Sequence, residues 1–419
     1  MSAYSRAALR GCFGIALCVG MVSCGGGGGG GGGDGLGSSG GGAGTTTPAN
    51  NVASVTVSSG PSNNAINVLY TTVTVCLPGT STCQAIDNIQ VDTGSYGLRI
   101  LAPVLTLTFP VVKLSNGSEL VECTTFADGY SWGPVTLADV QISGESASSV
   151  PVQIIGDSRY PTVPTDCSST ATTAEDTVAS FGANGILGIG PFAGDCGEYC
   201  TQSIPPNSPI YYACSTESDC TGTTVPLASQ VPNPVTLFAT DNNGTIITLT
   251  SAPSAGTTTL TGSLIFGIDT ESNNASGTET VVPIATTGTY AGFITTTFDT
   301  TSLPQSFIDS GSNGYFFPNT NDASLTPCKD TGFSDFYCPT STLSLSGEMQ
   351  LASGTSTVDF DVGNAEQINA AYFVYPGLAG TNPTPNSFDW GLPFFFGRRV
   401  ATAIQGYTTS AGSGPYIAY

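Results

Sequence analysis

From Val52 onward the chain alternates short runs of apolar, β-branched and aromatic residues with clusters of Gly, Pro, Asn, Asp and Ser. The runs Ile66–Leu77, Val104–Val112, Val135–Ile142 and Thr245–Leu249 suit a pleated surface, and the clusters between them carry turn chemistry. No long apolar stripe of period 3.6 appears, so the pattern predicts an all-β protein with few, short helices. Ahead of Val52 the pattern is different. Residues 1–24 begin with Arg6 and Arg10, continue through an apolar stretch, Cys12–Val22, that is too short to span a bilayer, and end at Cys24. That is the layout of an export signal. Nine consecutive glycines follow, then Gly, Ser and Thr to about residue 50. Such a segment cannot bury apolar area, so residues 25–50 read as a flexible tether.

The 419 residues suffice for two domains with separate cores. Charge narrows the function. Against 30 Asp and Glu stand 8 Lys and Arg, a net charge of −22, with no cluster of cations to hold a phosphate backbone. Nucleic acid is therefore not an expected partner. Once acid neutralises the carboxylates, few positive charges remain to repel one another, so the fold should resist acid expansion. There is no histidine. Ser-His-Asp and Cys-His catalysis and all His-ligated metal sites are thereby excluded. Carboxylates are the favoured groups for any acid–base chemistry, and no metal or cofactor is expected.

Of 13 cysteines, Cys12 and Cys18 lie within the signal and Cys24 at its end. The other ten are Cys76, Cys83, Cys123, Cys167, Cys196, Cys200, Cys214, Cys220, Cys328 and Cys338. An even number in an exported chain suggests disulfides. Cys76–Cys83 and Cys328–Cys338 would close short loops, and the four from Cys196 to Cys220 are expected to pair among themselves. Cys123–Cys167 follows by subtraction. A zinc knot over 196–220 is the rival, disfavoured by its irregular spacing.

The most informative feature is a weak internal duplication. Asp92-Thr93-Gly94-Ser95-Tyr96-Gly97 is echoed by Asp309-Ser310-Gly311-Ser312-Asn313-Gly314, each after an apolar residue. At similar distances downstream lie Gly185-Ile186-Leu187-Gly188 and Leu392-Pro393-Phe394-Phe395-Phe396-Gly397. Two related lobes, 51–232 and 233–419, would produce this pattern. Each motif alone is an ordinary Asx-type turn. The pair, with Asn184–Gly190, Gly262–Asp269 and the tail from Gly391, resembles the pepsin-like aspartic peptidases over about residues 55–419.

The resemblance implies a bilobal pepsin-like fold with a cleft between the lobes and Asp92 and Asp309 as paired catalytic carboxylates. It also implies roles for the neighbouring residues. Gly94 and Gly311 would bring backbone amides to the carboxylates, Thr93 and Ser310 would lock the two loops together, and Ser95 and Ser312 would bond the outer carboxylate oxygens. A flap is expected over 126–133, with Phe126, Tyr130 and Trp132 as candidates to cover a peptide, although a hairpin packed on itself fits as well. The family's flap tyrosine has no clear counterpart. Met21-Val22-Ser23-Cys24 resembles a bacterial lipobox, which implies lipidation at Cys24 and anchoring to a bacterial membrane, the outer membrane or cell surface being favoured. The implied function is an aspartic-type endopeptidase acting on peptides or proteins, expected to be a monomer. The alternative is an inactive surface lipoprotein that binds peptide, since the chain also resembles a group of bacterial lipoproteins without an assigned function.

Overall fold

The computed structural model describes residues 49–127, 129–169, 171, 173–204, 209–318 and 323–419. The export signal, Cys24 and nearly all of the expected tether lie outside the described residues.

The first stretch of chain forms β1 (Val52–Val57), β2 (Leu69–Cys76), β3 (Cys83–Asp92), β4 (Tyr96–Leu101), β5 (Glu119–Thr125), β6 (Tyr130–Ile142) and β7 (Glu145–Ile155). β8 (Gly185–Ile189), β9 (Tyr211–Thr216), β10 (Asp219–Gly222), β11 (Gly244–Leu249) and β12 (Leu260–Phe266) follow. Then come β13 (Val281–Pro283), β14 (Ile294–Phe298), β15 (Thr301–Ile308), β16 (Tyr315–Phe317), β17 (Leu343–Gln350) and β18 (Thr355–Val362). The tail holds β19 (Ala379–Thr381), β20 (Asp389–Trp390), β21 (Arg399–Ala403), β22 (Thr408–Thr409), β23 (Gly412–Ser413) and β24 (Tyr416–Ala418). The α-helices among the described residues are Thr165–Ser168, Val178–Phe181 and Glu198–Gln202, a single turn or little more each.

Strands alternate buried and exposed positions where one face meets solvent. β1 does so, and so does β18. β8, Gly185-Ile-Leu-Gly-Ile, is buried throughout because it is flanked on both sides by strands. The segment Val104–Val112 forms no strand. Pro103 opens a 3₁₀ turn over Ala102–Val104, and Pro110 lacks an N–H, so pairing resumes only with the bridge Val111–Thr136.

The topology itself is duplicated. In the first copy β3 runs parallel to β8, β8 antiparallel to β4, and β4 parallel to β7. In the second, β15 runs parallel to β20, β20 antiparallel to β16, and β16 parallel to β19. Each copy sets an Asp-x-Gly loop between its first and third strands. The fold is all-β with few, short helices, as the sequence predicts, and its strand pattern repeats around the two Asp loops. β1 pairs with β12, so the first described strand is laid into the sheet that continues through β11, β21, β24 and β13.

One sequence correspondence is corrected by this register. Asp92 lies opposite Gly188, and Ile308 lies opposite Trp390, so the counterpart of Gly188 is Gly391. Leu392–Phe395 instead form a buried 3₁₀ turn opened by Pro393, which cannot donate to a strand ladder. Trp390 is fully buried and stacks on Phe388 with ring centroids 4.1 Å apart.

Five disulfides join the ten cysteines: Cys76–Cys83, Cys123–Cys167, Cys196–Cys200, Cys214–Cys220 and Cys328–Cys338. Both pairs between 196 and 220 form locally, with no zinc knot. Cys123–Cys167 spans a separation of 44 residues. In the chain-entropy account it contributes about 4 kcal/mol. The other four close short loops and contribute less.

Candidate active site

The two Asp-x-Gly loops meet back to back. Thr93 N–H donates to Ser310 Oγ at 3.1 Å, and Ser310 N–H donates to Thr93 Oγ1 at 2.9 Å. Each hydroxyl then donates onward to the chain before the opposite aspartate, Thr93 to Ile308 O (3.2 Å) and Ser310 to Val91 O (2.8 Å). These four buried bonds form a two-fold lock between loops that are 217 residues apart. Gln90 adds a brace to Gly311 O at 2.9 Å.

The lock fixes the carboxyl groups. Asp92 Oδ1 accepts the Gly94 N–H and Asp309 Oδ1 accepts the Gly311 N–H, each at 2.7 Å. The outer oxygens, both Oδ2, accept from Ser95 and from Ser312, the latter at 2.9 Å. Both aspartates are 1 % exposed. The glycines are required by contact. A Cβ on Gly94 would stand 2.6 Å from Asp309 Cγ, and one on Gly311 2.6 Å from Asp92 Cγ. Asp309 faces Asp92 across the lock, each carboxyl lying against the other loop's glycine. Burial first, then the charges of Asp92 and Asp389, push its carboxyl well above the usual range, against the Gly311 N–H. The pair can thus hold one proton between a donor and an acceptor, the requirement for acting on water and on a carbonyl together.

The carboxyls open into a cavity of about 1010 Å³ whose apolar wall includes Phe126, Phe192, Ile284, Phe293, Ile294 and Phe307. Tyr96 also lines it, packed edge-on against Phe192 at 5.8 Å. Burial, then Asp92 and Asp309, raise the Tyr96 phenol far above its ordinary value, so it stays a hydrogen-bond donor. Among the described residues its hydroxyl has no hydrogen-bond partner.

The expected flap divides. β5 and β6 form the hairpin, and Phe126 at its turn lines the cavity and packs edge-on against Phe181 at 5.8 Å. Tyr130 and Trp132 do not reach it. They pack in a cluster with Cys123, Cys167 and Tyr160, and Trp132 donates to Tyr160 O at 3.1 Å. The reason lies in added pairing that a free flap lacks. β9 lengthens the sheet at the outer edge of β5, β10 follows it, and Tyr130 bridges Ala174. With Cys123 tied to Cys167, the hairpin is strapped along its length.

Sequence reasoning missed a second polar group in the cavity wall. Arg99, 1 % exposed on β4, pairs with Glu122 at 2.6 Å and Asp195 at 3.2 Å, and donates to Tyr96 O and Thr124. Burial, then the Glu122 charge, push the Asp195 carboxyl well up, against the Arg99 guanidinium and the Tyr211 hydroxyl. One cation inside the apolar run Leu98–Leu101, in a chain with so few, was the available signal. The group of donors suited to a metal among the described residues, Cys328, Cys338 and Glu366, has both sulfurs in a disulfide.

Residues 47–419 match the model of one protein family, described as "Protein of unknown function (DUF3443)". No curated protein matches the chain. Among solved structures it is similar to the crystal structure of aspartic proteinase from Irpex lacteus, with 15 % sequence identity and a TM-score of 0.49. That likeness covers 88 % of this chain and 96 % of the other.

Proposed function

The chain belongs to the DUF3443 family, and from its site we propose that it is an aspartic-type endopeptidase that hydrolyses peptide bonds through water activated by Asp92 and Asp309. One observation carries this reading. Two buried carboxyls from distant, symmetrically locked loops lie side by side at the floor of a large cavity. Asp92 accepts a proton from the attacking water while Asp309, kept protonated by its surroundings, gives its proton to the substrate carbonyl oxygen. The C–N bond of the tetrahedral carbon breaks as Asp92 passes its proton to the departing amine and a hydroxyl on that carbon returns its proton to Asp309, restoring the pair. The shared-proton effect in aspartic proteases is an established physical example, and its application to these residues is the proposal.

The aromatic wall suits apolar side chains of an extended peptide. Phe126 has no hydroxyl, and the Tyr96 phenol is the donor that can bond substrate beside the dyad. The fold is proposed to act as a monomer, exported and held by lipid at Cys24 on the outer membrane or cell surface, with the glycine tether giving it reach.

Purified protein mixed with an unfolded protein substrate at about pH 3–5 should cleave it, and a statine-type mimic, whose hydroxyl displaces the attacking water, should stop the reaction. Absence of cleavage across the acid range, with no binding of the mimic, would leave the peptide-binding lipoprotein as the reading.

A further inference from the structure

Behind the dyad stands a third carboxyl. Asp389 lies on β20 opposite Phe307, the place that Ile186 occupies opposite Gln90 in the first copy. Polar and apolar residues have therefore exchanged partners between the copies. Asp389 is 0 % exposed, and neither of its oxygens has a hydrogen-bond donor among the described residues. Its polar neighbour is Ser312, whose hydroxyl already serves Asp309 at 2.9 Å. The charged or titratable groups facing it are Asp92 and Asp309, and no cation does. Packing alone does not call for an acid here, since the equivalent position holds isoleucine.

We propose that Asp389 is a positioning residue that takes the site's second negative charge as pH rises, so that Asp92 and Asp309 keep the proton they share. The inference rests on the dyad reading. With three carboxyls and one charge, the charge belongs on the dyad. A second charge placed there sets two carboxylates in contact, whereas on Asp389 it sits across the Ser312 hydroxyl from Asp309, and repulsion falls as separation grows. Asp389 lacks donors, which opposes this, but Ser312 can supply one. A protonated Asp309 no longer needs the Ser312 hydrogen, and rotation about one bond turns it toward Asp389. The proton released goes to solvent.

Stability follows the same proton. Burial holds the Asp389 carboxyl well above its ordinary value. Its contribution is full below the unfolded value of about 4 and declines as pH rises toward the folded value. Asparagine or leucine at 389 carries no such decline.

The test is the pH dependence of kcat/KM between about pH 2 and 8 for wild type, Asp389→Asn and Asp389→Leu. The alkaline limb should move down by about one unit in both variants, a loss of about tenfold on that limb, with the acid limb in place. Leucine copies the apolar counterpart and serves if asparagine does not fold. An alkaline limb unmoved in the folded variants overturns the proposal. Should wild type cleave nothing at any pH, the peptidase reading falls, and unfolding temperatures judge Asp389 instead. Wild type must lose stability relative to the variants above about pH 4, and a difference constant with pH overturns the proposal.

Discussion

Asparagine in place of either Asp92 or Asp309 should lower peptide cleavage at about pH 4 by at least about 10³-fold while the protein stays folded. The amide keeps shape and size, so the bonds from Gly94 or Gly311 have an oxygen to meet. It can neither take a proton from water nor give one to the carbonyl. Stability separates this loss from misfolding. The raised carboxyl of Asp309 contributes fully below about pH 4 and less as pH rises. Asp309→Asn should therefore unfold at or above the wild-type temperature near neutrality. Turnover measured beside thermal unfolding checks both halves, and an inactive variant that also melts early would count against the assignment.

Arg99→Leu should destabilise the fold by about 3–5 kcal/mol at pH 7, because it leaves Glu122 and Asp195 buried with no cation. The guanidinium also bonds Tyr96 O at 2.6 Å and Thr124 at 2.9 Å, so β4 and β5 lose a tie in the cavity wall. The cost should shrink in acid. There both carboxyls can take protons, and neutral acids tolerate burial far better than anions. Denaturant unfolding at neutral and acid pH gives the comparison, and a cost equal at both would show that packing of the side chain, not charge, is what the substitution removes.

The paired Asp motifs were legible because the chemistry fixes their residue types. Gly94 and Gly311 tolerate no Cβ, and Thr93 and Ser310 must offer a hydroxyl that both accepts and donates. The strand after each motif was legible only once. Gly185–Ile189 is an unbroken apolar run, while its counterpart is Asp389-Trp390, where an acid hides the strand and the apolar residues that follow turn on Pro393. Val104–Val112 misled for a related reason, since composition favours a strand but Pro103 turns the chain into it and Pro110 withholds a donor. The strapped hairpin lay beyond reach because it depends on β9 pairing with β5 from about 90 residues away, and no local pattern encodes such a partner. Arg99, Glu122 and Asp195 are scattered likewise, and only their shared burial makes them a group.

The most direct measurement is the carbon-13 shift of the Asp309 carboxyl against pH, in wild type and in Asp92→Asn. In the wild type Asp309 should stay protonated well above the ordinary carboxylate range, and losing its charged neighbour should bring its midpoint down clearly. An ordinary midpoint in wild type, or the same midpoint in both proteins, would mean that the two aspartates do not share a proton and that no dyad exists.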